Sequence, residues 1–142
     1  MLSKKAKYAL KALLFLAREE NKGPILISEI AEKEAIPKKF LEQILLELRK
    51  QGILQSQKGK GGGYFLGKPS DVISMGQVIR IIDGPLAPLP CVSQMAYRKC
   101  DECKDERTCG IRLVMKDVRD STARILDGVS LMDVIRNVRN SL

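Results

Sequence analysis

Residues 28–52 hold two short stretches of helical periodicity separated by a proline, and this pattern constrains the fold more than any other feature. Ser28 is predicted to cap the first helix, because its hydroxyl can accept a hydrogen bond from a free backbone amide. Pro37 favours the start of the second helix, where a missing amide hydrogen costs nothing. The second helix has an apolar face at helical spacing: Leu41, Ile44, Leu45 and Leu48. Two short helices joined by a tight turn, within residues 27–50, predict a helix-turn-helix.

A glycine-rich segment follows this helix pair. Residues 53–57 and 64–66 predict two strands, with Lys58–Gly63 as the tip of a hairpin. A nucleotide phosphate loop would need Gly-Lys followed by Ser or Thr at the start of a helix, and a dinucleotide site would need Gly-x-Gly-x-x-Gly. Neither spacing is present. Lysines at the hairpin tip, beside glycines that let backbone amides approach a phosphate chain, are typical of a DNA-binding wing.

Positive charge is concentrated in the first half of the chain. Residues 1–70 contain 14 lysines and arginines against 7 acidic residues, whereas residues 71–142 contain 11 against 10. In a chain of net charge +8, this asymmetry indicates that the first half meets a polyanion. Together with a helix-turn-helix and a basic hairpin, the charge predicts a winged-helix module that binds double-stranded DNA. A lysine-rich face that is merely solvated is the alternative.

Further helices are predicted on either side of the helix-turn-helix and the hairpin. Ser3 is predicted to cap a first helix that ends near Glu19, and residues 75–82 form another helix. No stretch of the chain approaches the roughly 18 apolar residues that a membrane span requires. The lysine-rich start is superficially similar to a signal peptide, but its apolar run over residues 12–17 is too short for one. We therefore expect a cytoplasmic protein without a membrane partner, whose thiols are kept reduced.

A long amphipathic helix is predicted after residue 110. It carries the apolar stripe Ile111, Val114, Met115, Val118, Thr122, Ile125 and Leu126. A stripe of this length needs another helix as cover, and a second copy of the chain would give a symmetric homodimer. The alternative is that the helix folds back on its own domain. A short final helix, capped by Ser130, follows.

The sequence as a whole predicts a mainly α protein with a small β-hairpin wing. Residues 1–84 are predicted to form the DNA-binding region, with the helix-turn-helix at 27–50 and the wing at 53–67. Residues 85–110 form a cysteine loop that begins with three prolines within 85–90. Residues 111–142 form the dimerisation helix and the C-terminal helix.

Every cysteine lies in one stretch of nineteen residues, and the chain has no histidine. The thiols of Cys91, Cys100, Cys103 and Cys109 are separated by eight, two and five residues. Four thiolates commonly hold an iron–sulfur cluster, and the spacing favours one. A cysteine-only zinc site usually pairs two C-x2-C elements, of which only one is present here. A thiol switch without a metal and a segment without a special function are further alternatives.

Enzyme chemistry is not favoured by this pattern. A small thiol oxidoreductase using Cys100 and Cys103 would place them after a strand, at the start of a helix, and the surrounding residues predict neither. Without histidine, the chain also has no imidazole base for a catalytic triad. A structural disulfide set is disfavoured in a reducing compartment.

Five stretches resemble, in order and spacing, the Rrf2 family of bacterial winged-helix regulators, which includes IscR, NsrR and CymR. They are YALKALLFLA, ISEIAEKEAIPKKFLEQILLELRKQGIL, KGKGGGYFL, GQVIRIIDGPLAP and the cysteine loop, so the resemblance covers about residues 1–135. It implies a dimeric transcriptional regulator in which Glu42 and Gln43 read the major groove and Lys58 approaches the minor groove. The candidate DNA contacts are Ser28, Lys38, Lys39, Glu42, Gln43, Lys58, Lys60, Gly61, Gly62 and Tyr64.

The same resemblance implies an iron–sulfur cluster, [2Fe–2S] in preference to [4Fe–4S], since family members that bind one carry three cysteines in this loop. Cys91 matches the first of them and Cys109 the last, while Cys100 and Cys103 compete for the middle place. IscR also uses a histidine shortly after its last cysteine, where this chain has Arg112. That mixed ligation therefore does not carry over, and four thiolates are expected, with zinc as the alternative metal.

Overall fold

A computed structural model describes residues 2–142, and it confirms the mainly α fold with a hairpin wing. The elements are α1 (Lys4–Arg18), α2 (Ile27–Glu34), α3 (Lys38–Lys50), β1 (Leu54–Gln57), β2 (Gly63–Leu66), α4 (Met75–Asp83), α5 (Gly110–Asp127) and α6 (Leu131–Ser141). Two short 3-10 turns, Pro90–Val92 and Glu106–Thr108, lie between α4 and α5. None of the helices in residues 2–142 is long and apolar enough to cross a membrane.

Helix α1 lies at the centre of the core and packs against α2, α3, α4 and α6. Its start is fixed as predicted, because the Ser3 hydroxyl accepts a hydrogen bond from the Ala6 amide at 3.0 Å. The largest fully buried side chains are Leu13, Ile30, Leu41, Ile44, Leu45, Leu48, Ile53, Leu54, Ile73, Val78, Val92 and Leu131. The apolar face predicted for α3 is thus wholly inside the core.

The prediction that Ser28 caps the second helix is wrong. Leu26 occupies the cap position with extended backbone and makes no side-chain cap, while Ser28 lies exposed in the first turn. The reason is a tertiary pairing: the Ile25 amide donates to the Tyr64 carbonyl at 2.9 Å, and the Tyr64 amide donates to the Ile25 carbonyl at 2.8 Å. This exchange keeps the chain extended beside β2 and fixes where helix α2 begins.

The turn between α2 and α3 is tight. Ala35 ends α2 with a φ of 54°, in the left-handed region, which reverses the chain direction. The Ile36 amide then donates to the Ala31 carbonyl at 2.9 Å, and the Ile36 side chain is buried. Pro37 stands one position before α3 and supplies its cap position. The predicted helix-turn-helix is therefore present.

The wing is an antiparallel pair in which Leu54 faces Leu66 and Gln57 faces Gly63. Gly63 has a φ of 143°, and a Cβ there would lie 2.3 Å from the Ile25 carbonyl oxygen. Gly59, at the wing tip, has a φ of 91° but open space around it. The two glycines thus share a left-handed backbone, while only Gly63 is also in close contact with another segment.

We expect Gly63→Ala to detach the wing from the strand-like segment at Ile25. The strained backbone alone costs roughly 1–3 kcal/mol, and the contact with a fixed backbone oxygen adds to this. Gly59→Ala is the matched control, because it carries the backbone strain without the contact. Urea denaturation of both variants measures the difference. Equal losses of stability would show that the close approach at Gly63 contributes nothing.

Helix α4 is joined to the C-terminal end of α5 by an ion pair. The Arg80 guanidinium donates to the two Asp127 carboxylate oxygens at 2.6 and 2.9 Å. These hydrogen bonds hold the pKa of Asp127 below its usual range. The pair therefore contributes fully above the ordinary carboxyl pKa and is lost as the pH falls through the lowered value. Gly76 leaves room for it, since a Cβ there would lie 2.0 Å from an Asp127 oxygen.

The apolar stripe of α5 lies mostly in water in the single chain. Ile111 is 67% exposed, Val114 57%, Val118 45% and Ile125 61%. No residue of α5 is buried, although Leu126 packs on the edge of the core. Helix α6 begins as predicted at Ser130, which forms a capping box with Asp133. The chain itself therefore supplies no cover for most of this stripe.

Candidate DNA-binding surface and cysteine segment

The outer face of α3 is polar and exposed. Lys38, Lys39, Glu42 and Gln43 all point away from the core, and Leu46, 39% exposed, lies among them. Basic and amide side chains on the second helix of a helix-turn-helix suit phosphates and base edges. The structure thus brings the four predicted helix residues onto one surface.

The wing tip carries the predicted lysines. Lys58 and Lys60 are exposed, as is Gly61 between the strands. Gly62 is instead buried, and a Cβ there would lie 2.1 Å from the Gln57 carbonyl oxygen, so this glycine shapes the tip. Tyr64 is half-buried and packs on the core. Gly62 thus shapes the tip and Tyr64 attaches β2 to the core, while the lysines lie at the surface.

Sequence reasoning missed a residue that joins the recognition helix to the wing. Arg49, in the last turn of α3, donates from its guanidinium to the Ser56 hydroxyl on β1 at 2.9 Å. This bond links the two elements in addition to the packing of α3 against β1. The sequence shows that Arg49 is a basic residue near the end of a predicted helix. It does not show that Ser56, on the following strand, accepts its hydrogen bond.

The four cysteines lie in three different local settings. Cys91 is buried in the turn Pro90–Val92, Cys100 is exposed, and Cys103 and Cys109 are half-buried. The Cys103 amide donates to the Cys100 carbonyl at 3.2 Å, which makes the C-x2-C element a tight turn. Partial burial raises the pKa of the Cys103 thiol, and the neighbouring Cys109 and Cys100 side chains raise it further. Cys103 therefore has both Cys109 and Cys100 as neighbours.

Cys109 stands at the N-terminus of α5. Its sulfur occupies the cap position and accepts a hydrogen bond from the Arg112 amide at 3.5 Å. The positive end of the helix dipole favours negative charge at this place. Arg112, three residues after Cys109, donates from its guanidinium to the Cys91 carbonyl at 3.4 Å. The first and last cysteines are thus connected through one arginine.

A further contact lies within the loop between Cys91 and Cys109. The Tyr97 hydroxyl donates to the Glu106 carboxylate, and this contact raises the pKa of Tyr97. Among residues 2–142, no group of three or more cysteine or acidic side chains is already arranged to hold a metal ion. The donor set nevertheless fits iron or zinc in kind, because thiolates are soft ligands that both metals accept. Because the four sulfurs are not already arranged as a site among these residues, they would have to approach one another on binding.

A helix-turn-helix with a basic hairpin on its C-terminal side defines a winged-helix DNA-binding regulator. Comparisons with known proteins identify the family to which this regulator belongs. The model of the Rrf2 family, described as an iron-dependent transcriptional regulator, matches residues 2–137. The chain therefore belongs to the Rrf2 family, and it is a transcriptional regulator and not an enzyme.

Individual relatives agree with this placement. An rrf2-like HTH-type transcriptional regulator of Rhodobacter capsulatus is 46% identical over 138 residues, which cover 95% of this chain and 92% of the relative. IscR of Erwinia tasmaniensis is 30% identical over 136 residues, covering 96% and 79%. Among solved structures, IscR of T. potens has a TM-score of 0.79 at 26% identity, covering 99% and 90%. CymR, the global cysteine regulator of B. subtilis, has a TM-score of 0.78 at 28% identity, covering 94% and 95%.

Proposed function

We propose that this protein is a homodimeric transcriptional regulator that reads DNA with α3 and the wing and senses iron–sulfur or redox state through its four cysteines. The observation that carries the proposal is that the Cys109 sulfur caps the exposed helix α5 and that Cys100 and Cys103 form a tight turn shortly before it. A ligand held there would lie beside the surface on which two subunits are expected to meet.

The DNA-binding part of the proposal assigns α3 to the major groove. Glu42 and Gln43 lie on its exposed face and would contact base edges, with Lys38 and Lys39 near phosphates. Lys58 and Lys60 at the wing tip would contact the backbone of the adjacent groove. Two subunits related by a two-fold axis would bind half-sites about one helical turn, or a multiple of it, apart.

The cysteine part of the proposal assigns Cys91, Cys100, Cys103 and Cys109 as ligands. An iron–sulfur cluster would supply a redox-active iron centre bound to the loop through its cysteine sulfurs. Loss or oxidation of the cluster would change how many iron–sulfur bonds hold the loop. The protein's own contribution is the geometry: the N-terminus of α5 favours the negative charge of a thiolate-ligated centre, and the Tyr97–Glu106 contact joins two parts of the loop. Closing the four sulfurs together would draw the Cys91 turn along α5, and the ligation free energy would become a change in DNA affinity.

Salt dependence tests the DNA interface. Lys58→Ala and Lys60→Ala should weaken binding to many DNA sequences alike. They should also make the negative slope of log affinity against log salt less steep, by about 0.9 for each lost phosphate contact. Lys116→Ala, an exposed lysine on α5, removes the same charge away from the winged half and should leave the slope unchanged. Fluorescence anisotropy on duplexes at several salt concentrations measures both quantities.

The same binding experiment also distinguishes residues that contact bases from residues that contact phosphates. Glu42→Ala or Gln43→Ala should change which half-site sequences bind best, while leaving the salt slope near its original value. Failure of the protein to bind any duplex at low salt, with and without iron, would contradict the regulator proposal as a whole. An equal slope for the wing and α5 variants would contradict the assignment of the wing.

A further inference from the structure

The turn that carries Cys91 is hydrogen-bonded to helix α5 through two arginines. Arg119 donates from its guanidinium to the Val92 carbonyl at 2.7 Å, and Arg112 donates to the Cys91 carbonyl at 3.4 Å. The two arginines are seven residues apart, so they lie on the same face of α5, two turns from each other. Two consecutive carbonyls of the turn are therefore held by the same helix.

Arg119 makes the shorter of these bonds and is the more deeply placed. Its side chain is 14% exposed, and Asp120 accepts from the same guanidinium at 2.6 and 2.8 Å, which orients it. Val92 is 1% exposed, and within residues 2–142 its carbonyl receives no other hydrogen bond. Removing the guanidinium would leave a buried carbonyl without a donor, which opposes the closed position of the turn.

The opposite end of α5 is joined to the DNA-binding half. Asp127, eight residues beyond Arg119, receives both hydrogen bonds of the Arg80 guanidinium on α4. Helix α4 in turn packs on α1 and on the recognition helix α3. One rigid helix thus contacts the cysteine turn near its middle and the winged-helix body at its end.

We propose that Arg119 is a positioning residue that ties the Cys91 turn to α5 and thereby couples the state of the cysteine segment to the DNA-binding half. The coupling rests on the proposed function, because it needs a cysteine segment that changes state. The tie itself belongs to the iron-free protein and is measurable without any metal.

The first test uses the reduced, iron-free protein and the labelling rate of Cys91 by iodoacetamide, followed by peptide mass spectrometry. Cys91 is 8% exposed, so it reacts only when the turn opens. Arg119→Ala should raise this rate by about tenfold, as expected for the loss of one charge-assisted hydrogen bond. Cys100 is already exposed and should react at its original rate in every variant. Arg124→Ala is the matched control, because it removes an exposed arginine from the same helix.

The second test compares DNA affinity with and without reconstituted iron. In the original protein the ratio of the two affinities measures the coupling. Arg119→Ala should bring this ratio close to one while the protein still binds both iron and DNA, and Arg124→Ala should leave it unchanged. Arg119→Lys keeps the charge but replaces the planar guanidinium fork, which binds Val92 and Asp120 together, with a single ammonium nitrogen, so it should recover part of the ratio. This recovery separates a positioning role from a general loss of folding.

The labelling rate tests whether Arg119 holds the Cys91 turn, and the affinity ratio tests whether Arg119 couples that turn to DNA binding. An unchanged Cys91 labelling rate in Arg119→Ala would overturn the proposal whatever iron does. Faster labelling with an unchanged affinity ratio would overturn the coupling role of Arg119. If the original protein bound DNA equally well in both states, the iron-sensing function would fail, while the labelling experiment would still decide whether Arg119 holds the turn.

Discussion

Cys109→Ser is expected to abolish iron binding while leaving helix α5 intact. The Cys109 sulfur caps α5 by accepting from the Arg112 amide, and serine is among the best residues for that position. The variant should therefore keep or slightly raise its thermal stability. As an iron ligand, however, a serine hydroxyl is a poor substitute for thiolate. Visible absorption and iron content after anaerobic reconstitution should fall to background.

Cys91 requires a different variant, because its side chain is buried. Cys91→Ser would place a hydroxyl among apolar groups, so a loss of iron could follow from local unfolding alone. Cys91→Ala keeps an apolar side chain there and removes only the sulfur. Loss of colour in this variant, with circular dichroism unchanged, would identify Cys91 as a ligand. Full iron content in either Cys91→Ala or Cys109→Ser would contradict the proposed cage.

The two middle cysteines test the number of ligands. In a four-thiolate cage, Cys100→Ser and Cys103→Ser should each lose iron to a similar extent. If one of these two variants kept its colour, the cysteine replaced in it would not be a ligand. The site would then consist of three thiolates and one non-sulfur donor. Stoichiometric zinc without iron in protein prepared anaerobically would replace the cluster by a zinc site and leave the DNA-binding part standing.

The helix-turn-helix was predictable because its signals are local. The apolar spacing in α3 and the position of Pro37 depend on neighbours within a turn or two, and the structure confirms both. The start of α2 was not predictable in this way. It is set by pairing between Ile25 and Tyr64, which are far apart in sequence, so the local preference of Ser28 for a cap was overridden.

In the cysteine segment, too, local features were predictable from the sequence and long-range contacts were not. Spacing alone predicted a shared site, and this stays a prediction, because no group of three or more cysteine or acidic side chains among residues 2–142 is arranged to hold a metal ion. Spacing could not reveal that Arg119 reaches back to Val92, because that bond joins residues 27 positions apart. A heptad separation of two arginines on α5 was visible in the sequence, but nothing local identified the carbonyls that receive them.

The apolar stripe of α5 leads to the second large effect. A stripe with Val118 and Ile125 about half or more exposed is unusual for a solitary chain, and a second copy would bury it. In a two-fold interface every substitution occurs twice, so Val118→Glu would bring two carboxylates into one apolar contact. Burying such charges without partners costs more than a dimer of this kind can compensate.

Val118→Glu is therefore expected to give a folded monomer that binds DNA weakly. A dimer gains affinity because binding of the first half-site holds the second subunit near its own, an advantage of about 10²–10⁴-fold that a monomer loses. Analytical ultracentrifugation gives the oligomeric state, and anisotropy on a duplex with both half-sites gives the affinity. Lys116→Glu is the matched control, since it places a glutamate two residues away on another face of α5. A dimeric Val118→Glu protein with unchanged DNA affinity would exclude the stripe as the subunit interface. Monomers in both variants would show that charge anywhere on α5, rather than loss of its apolar stripe, separates the subunits.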